Sequence, residues 1–188
     1  MKKQYFVQHP DPSILNDFSL PKDMFQSVEV GIRDMEPDFL FTLAQNMFAF
    51  PVFFALDFVM IEHVEKIIME RNMPFYRFDS DGFIVKIDSV DTLAVICEST
   101  VELASNGMRI FIFFGEGLSE ADLVPTKKWG GPTEFRNLDF GKVETFIDVQ
   151  EVGLTVFTKN EKYNTPRKVT HCISEDYALD LMSSDLES

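Results

Sequence analysis

Four groups of residues have types and spacings that chemistry could use. Asp79-Ser80-Asp81-Gly82 sets two carboxylates one residue apart ahead of a glycine, like the opening of a calcium loop. The full loop needs a third oxygen ligand before the glycine and a Glu at its twelfth position. Here Gly82 follows Asp81 directly and the twelfth position is Val90, so the tetrapeptide reads as a hairpin turn. His63 stands near Glu62 and Glu65, but zinc hydrolases carry two histidines at i,i+4 on one helix face. Positions 59 and 67 are Val and Ile, which leaves a surface or half-buried histidine.

Cys97, His171 and Cys172 would supply a thiolate with its base, or three soft metal ligands, if they converged. Cys97 falls on the apolar face of its helix, where cysteine behaves as a small hydrophobe. His171 and Cys172 are adjacent, and neighbours on an extended chain point to opposite sides. The fourth group is Lys127, Lys128, Trp129, Gly130 and Gly131, followed by Pro132 and Arg136. Amides at paired glycines can cradle a phosphate, and Trp can stack on a base. No P-loop or dinucleotide fingerprint accompanies them, so a solvated loop with an inward-packed Trp competes with a ligand loop. The sequence implies no catalytic residue, metal or cofactor.

The clearest electrostatic signal is negative. Between Ser89 and Met108 there is no Lys or Arg, while Asp91, Glu98 and Glu102 avoid the apolar positions. Glu98 and Glu102 are like charges at i,i+4 near a helix C-terminus, an arrangement that gains nothing locally. The tail repeats the pattern with Glu175, Asp176 and Asp180, then Asp185 and Glu187. The whole chain carries 31 acidic against 17 basic residues, a net charge of −14. Phosphate-backbone binding rests on Lys and Arg replacing counterions, so nucleic acid and anionic membranes are poor partners. A basic protein is a good one, although an acidic surface also serves solubility alone.

These groups need elements to position them. At 188 residues the chain fits one domain, 1–188, that can bury a core without disulfides. No secretory leader or membrane span is read, and two cysteines suit a reducing, cytoplasmic setting. Residues 1–50 are the least regular, with strand periodicity at Gln4–Gln8 and Val28–Ile32 and a helix from Pro37 to about Phe48. Residues 51–115 organise the rest. Val52–Leu56 is continuously apolar, as in a strand buried on both faces. A helix from Met60 to Glu70 follows, then strands Phe75–Phe78 and Phe83–Ile87 joined by the 79–82 turn. A second helix, capped by Asp88 or Ser89, has Val90, Leu93, Ala94, Cys97, Val101 and Ala104 on its predicted buried face. Asn106-Gly107 ends it before the apolar strand Arg109–Phe114.

The expected fold is therefore α+β, a ferredoxin-like βαββαβ core. Its last strand would be an edge, yet Ile110–Phe114 has no edge protection. A C-terminal meander, Val143–Val149 and Leu154–Thr158, is expected to pair beside it; a three-layer, doubly wound α/β sheet is the alternative. Residues 116–141 form a long loop, and residues 142–188 extend the sheet and end in a helix capped by Ser174.

Function follows by class. The leading expectation is an acidic cytoplasmic interaction module for a basic protein partner, as in an immunity or antitoxin-type inhibitor, using Asp91, Glu98, Glu102, Glu175, Asp176 and Asp180. A small-ligand domain or enzyme working through the 116–141 loop is the second. The third is a homo-oligomeric structural subunit, for which surplus residues among the 20 Phe would supply the interface.

Overall fold

The computed structural model describes residues 2–10, 24–57, 61–78, 82–108, 110–126, 134–135, 138–181 and 184–186. Strands β1 (Gln4–Gln8) and β2 (Gln26–Ile32) precede α1 (Pro37–Met47), each where the sequence places an element, with β2 starting two residues earlier. The central stretch gives β3 (Val52–Asp57), α2 (Ile61–Glu70), β4 (Phe75–Phe78), β5 (Gly82–Ile87), α3 (Val90–Ser105) and β6 (Ile110–Phe114). Two short strands follow, β7 (Pro125–Thr126) and β8 (Glu134–Phe135), which pair with each other. The chain continues through β9 (Thr145–Gln150), β10 (Gly153–Thr158), α4 (Pro166–Thr170) and β11 (Ala178–Leu179).

Nine strands form one sheet in the order β11-β1-β2-β10-β9-β6-β3-β5-β4. Every pairing is antiparallel except that of β11 with β1. The protein is thus mixed α+β, with a mostly antiparallel sheet and, among the described residues, four α-helices. A doubly wound parallel sheet does not form, and the sheet is larger than a four-stranded core. The lack of edge protection on β6 now has a cause. Ile110–Phe114 pairs with β3 on one side and with the β9–β10 meander on the other, so its apolar residues are shielded on both flanks. Gly153 opens β10 at φ 148, and a Cβ there would lie 2.3 Å from the Val30 carbonyl oxygen, which only glycine avoids.

The sheet is covered on both faces. On the first face, α1 buries Phe39, Leu40 and Leu43, α2 buries Val64 and Ile68, and α3 buries Leu93, Ile96 and Cys97 in one apolar cluster. The second face belongs to phenylalanine. Phe53, Phe111, Phe113, Phe146 and Phe157 are buried there, with Phe25, Phe135 and Phe140 packed on them. Phe146 and Phe157 stack at 4.4 Å and 7°, and Phe135 meets Phe111 and Phe113 edge-on at 5.3 and 5.0 Å. Much of the phenylalanine expected at an interface is therefore used inside, where each ring removes a large apolar area from water.

Two expectations are corrected. The tail does not form a helix from Ser174: the helix lies earlier, at α4, where Pro166 occupies the first turn. Tyr177 sits in a turn, and the residues after it run beside β1. The face of α3 is also rotated. Val90 is 40% exposed and Ala94 is exposed, while Ile96, Ser99 and Thr100 are buried.

Candidate functional site

Helix α3 is set by its ends. Ser89 caps it by accepting from the Thr92 N–H at 3.3 Å, and Gly107 leaves it at φ 77. Its packed side lies against α1 and the sheet, which turns Asp91, Glu98 and Glu102 outward and exposed. Helix α1 enters the same surface at Glu36-Pro37-Asp38, where Glu36 and Asp38 are exposed and Pro37 takes the first helical position.

Between the two helices lies an open groove of about 550 Å³, lined by Glu36, Pro37, Asp38, Ala94, Val95 and Glu98. Its lining sets the exposed Ala94 and the half-buried Pro37 and Val95 among three exposed carboxylates. Among the described residues no Lys or Arg lines it. A neighbouring cleft shares Glu36 and Asp38 and adds Lys2, Lys3, Phe41, Asp176 and Tyr177. The α3 and tail acids, far apart in the chain, thus flank one helix start through Glu98 and Asp176.

Glu36 is the most constrained of these groups. Lys3 Nζ lies 2.9 Å from its Oε1, and the Tyr177 hydroxyl donates to its Oε2 at 3.1 Å. The hydrogen bond from Lys3, then that from Tyr177, holds its carboxyl below the ordinary value. Burial, together with that bond to a carboxylate, raises the Tyr177 phenol. Both members of the Lys3–Glu36 pair are largely solvated, so the pair adds little stability. Asp38 and Glu98 have no cation contact among the described residues. The groove's lining presents carboxylates beside apolar side chains, a combination that suits a cationic group on an apolar stem. The stem of a Lys or Arg would lie along Pro37, Ala94 and Val95, with its head between the carboxylates.

The remaining predicted residues fall elsewhere. Asp91 and Glu102 lie on α3 outside the groove lining, Glu175 is exposed in a turn, and Asp180 lies half-buried beside β1. The Lys2 ammonium donates to the Glu175 carbonyl. Lys127, Lys128, Trp129, Gly130, Gly131 and Arg136 lie outside the described residues, as do Asp79 and Asp81. The base of the 127–133 segment is visible as the β7–β8 pair, anchored by Phe135 on the second sheet face. His63 lies on α2.

Cys97 and Cys172 are both buried free thiols. Burial pushes Cys172 up to about 11 and raises Cys97 as well, so neither is a thiolate at neutral pH. His171 is exposed in the turn after α4 while its neighbour Cys172 is 4% exposed. Among the described residues no three His, Cys, Asp or Glu side chains gather to hold a metal ion. No described helix is long and apolar enough to cross a membrane.

Sequence reasoning missed Glu36 and Asp38. The signal was a Glu-Pro-Asp helix start, ordinary for a helix N-terminus and therefore silent about a site. Comparison with protein-family models, curated proteins and solved structures gives no match.

Proposed function

We propose that this chain is a protein-interaction module that receives a basic partner protein on its α1–α3 face. The observation that carries this reading is the groove in which three carboxylates, Glu36, Asp38 and Glu98, stand beside the apolar Pro37, Ala94 and Val95. Such a site accepts a Lys or Arg side chain whole, stem and head. The net charge of −14 would steer the encounter, so association is fast at low salt and slows as salt screens it. An inhibitor of the immunity or antitoxin type, seated on a basic cleft of its target, is the kind of protein these properties fit. A reducing, cytoplasmic setting goes with this reading, supported by the two buried free thiols.

We also read residues 51–115 as a ferredoxin-like split βαβ unit within the larger sheet. Supporting it are the order β6-β3-β5-β4, the antiparallel pairing throughout, and the joining of α2 and α3 residues in one apolar cluster.

The test is a titration of isotope-labelled protein with a Lys/Arg-rich peptide, followed by amide chemical shifts. Shifts should concentrate at Asp38, Ala94, Val95 and Glu98, and the double substitution Asp38→Lys, Glu98→Lys should weaken binding at least about tenfold, as loss of close charge pairs does. Shifts spread evenly over all exposed carboxylates would reduce the surface to a solubility device.

A further inference from the structure

The tail beyond Tyr177 runs along the outer edge of β1. Tyr177 itself belongs to the core: it is 9% exposed, meets Phe39 edge-on at 4.9 Å and donates to Glu36. Past that anchor, the described apolar residues are the half-buried Ala178, Leu179 and Leu186 and the 70% exposed Leu181. Leu179 and Leu186 pack partly buried against the first-face cluster, and hydrogen bonds join the segment to the outer edge of β1. The amides of Ala178, Asp180 and Asp185 donate to the carbonyls of Lys3, Tyr5 and Val7 at 2.9, 2.7 and 2.9 Å. In return the Val7 N–H donates to the Ser184 hydroxyl at 3.2 Å, and that hydroxyl donates to the Asp180 carbonyl at 2.6 Å. Alternate carbonyls of β1 are thus capped in turn by one strap, residues 178–181 and 184–186.

A terminal segment joined to a sheet edge, none of whose described side chains beyond Tyr177 is fully buried, opens before a sheet interior does. The edge it covers is a five-residue strand whose other side pairs with β2 from Tyr5 to Gln8, so it stays extended when bared. An open edge of that kind is a template for another strand.

We propose that this strap releases about the Tyr177 anchor while the sheet stays folded, and that the bared edge of β1 takes the strap of a second copy in its place. The second copy is the occupant because its strap carries the same amides and the same serine that already fit this edge. Exchange of identical elements needs no new contact. The proposal is independent of the acidic groove.

Hydrogen exchange on the full chain tests the release. The amides of Ala178, Asp180, Asp185 and Val7 should exchange together, at least about tenfold faster than those of β2. Exchange at the β2 rate would show that the strap opens only with the whole sheet and would overturn the proposal. A labelled peptide of residues 174–188 tests the occupant. It should bind the full-chain variant Asp180→Pro, which lacks the N–H to Tyr5, at least about tenfold more tightly than wild type, whose own strap holds the edge. Equal binding to both, or binding to neither, would overturn the exchange. If Asp180→Pro does not fold, the wild-type exchange pattern decides release, and growth of a dimer with wild-type concentration, blocked by excess peptide, decides exchange; no dimer overturns it.

Discussion

Thr100 is fully buried on the packed face of α3, and its hydroxyl has no hydrogen-bond partner among the described residues. Helical threonines commonly return that hydroxyl to the carbonyl one turn back; here it does not, and a buried polar atom stays unsatisfied. Thr100→Val replaces the hydroxyl with a methyl of similar size, so it should stabilise the protein by about 1 kcal/mol. Urea unfolding measures it, and a loss of stability would show that the hydroxyl has a role the fold depends on. Lys159 shows the opposite economy. Its ammonium lies 4.9 Å from the Phe25 ring centre and donates to the Phe140 carbonyl at 2.5 Å, so a cation lowered in pKa by burial still finds partners. The sequence located Cys97 on a buried helix face correctly but misplaced Val90 and Ala94, because periodicity gives the existence of an apolar stripe and not its exact angle against a neighbour.

At the scale of elements, the 116–141 connection changes meaning. A long Gly-rich loop reads as a functional or mobile segment, yet its described parts, Leu118, Leu123, Val124 and Phe135, pack over the second face of the sheet. Phe135→Ala would remove a half-buried ring that meets two others, at a cost of about 2 kcal/mol, below the range for a fully buried Phe. Chemical denaturation of the variant measures this, and an unchanged midpoint would mean that β7 and β8 are not held by the sheet. The tail shows why element type was misread there. Tyr177, Ala178 and Leu181 have helical spacing, but Tyr177 is drawn into the core by Phe39 and Glu36, and the outer edge of β1 offers the following amides acceptors that solvent would otherwise fill. Local pattern lost to an edge that needed covering.

Across the whole molecule, charge has the longest reach. A net −14 repels itself in the compact state, and salt screens that repulsion, so stability should rise between roughly 0.01 and 0.5 M NaCl. Thermal unfolding at the two salt concentrations measures it; a Tm that falls would mean that local ion pairs such as Lys3–Glu36 and Arg77–Glu65 outweigh the global field. By itself the sequence determined the alternation of strands and helices in 51–115, a start for α3 at Asp88 or Ser89 and its stop at Asn106-Gly107, and the need for something beside Ile110–Phe114. These are local facts, fixed by side-chain period, capping chemistry and the cost of a bare edge. Only the tertiary structure decided that β2, β1 and β11 continue the sheet beyond that meander, that phenylalanine fills the second face of the sheet, and that Glu36 and Asp38 stand between Glu98 and Asp176. Those follow from packing between distant segments, where many pairings satisfy the same pattern and shape complementarity selects one.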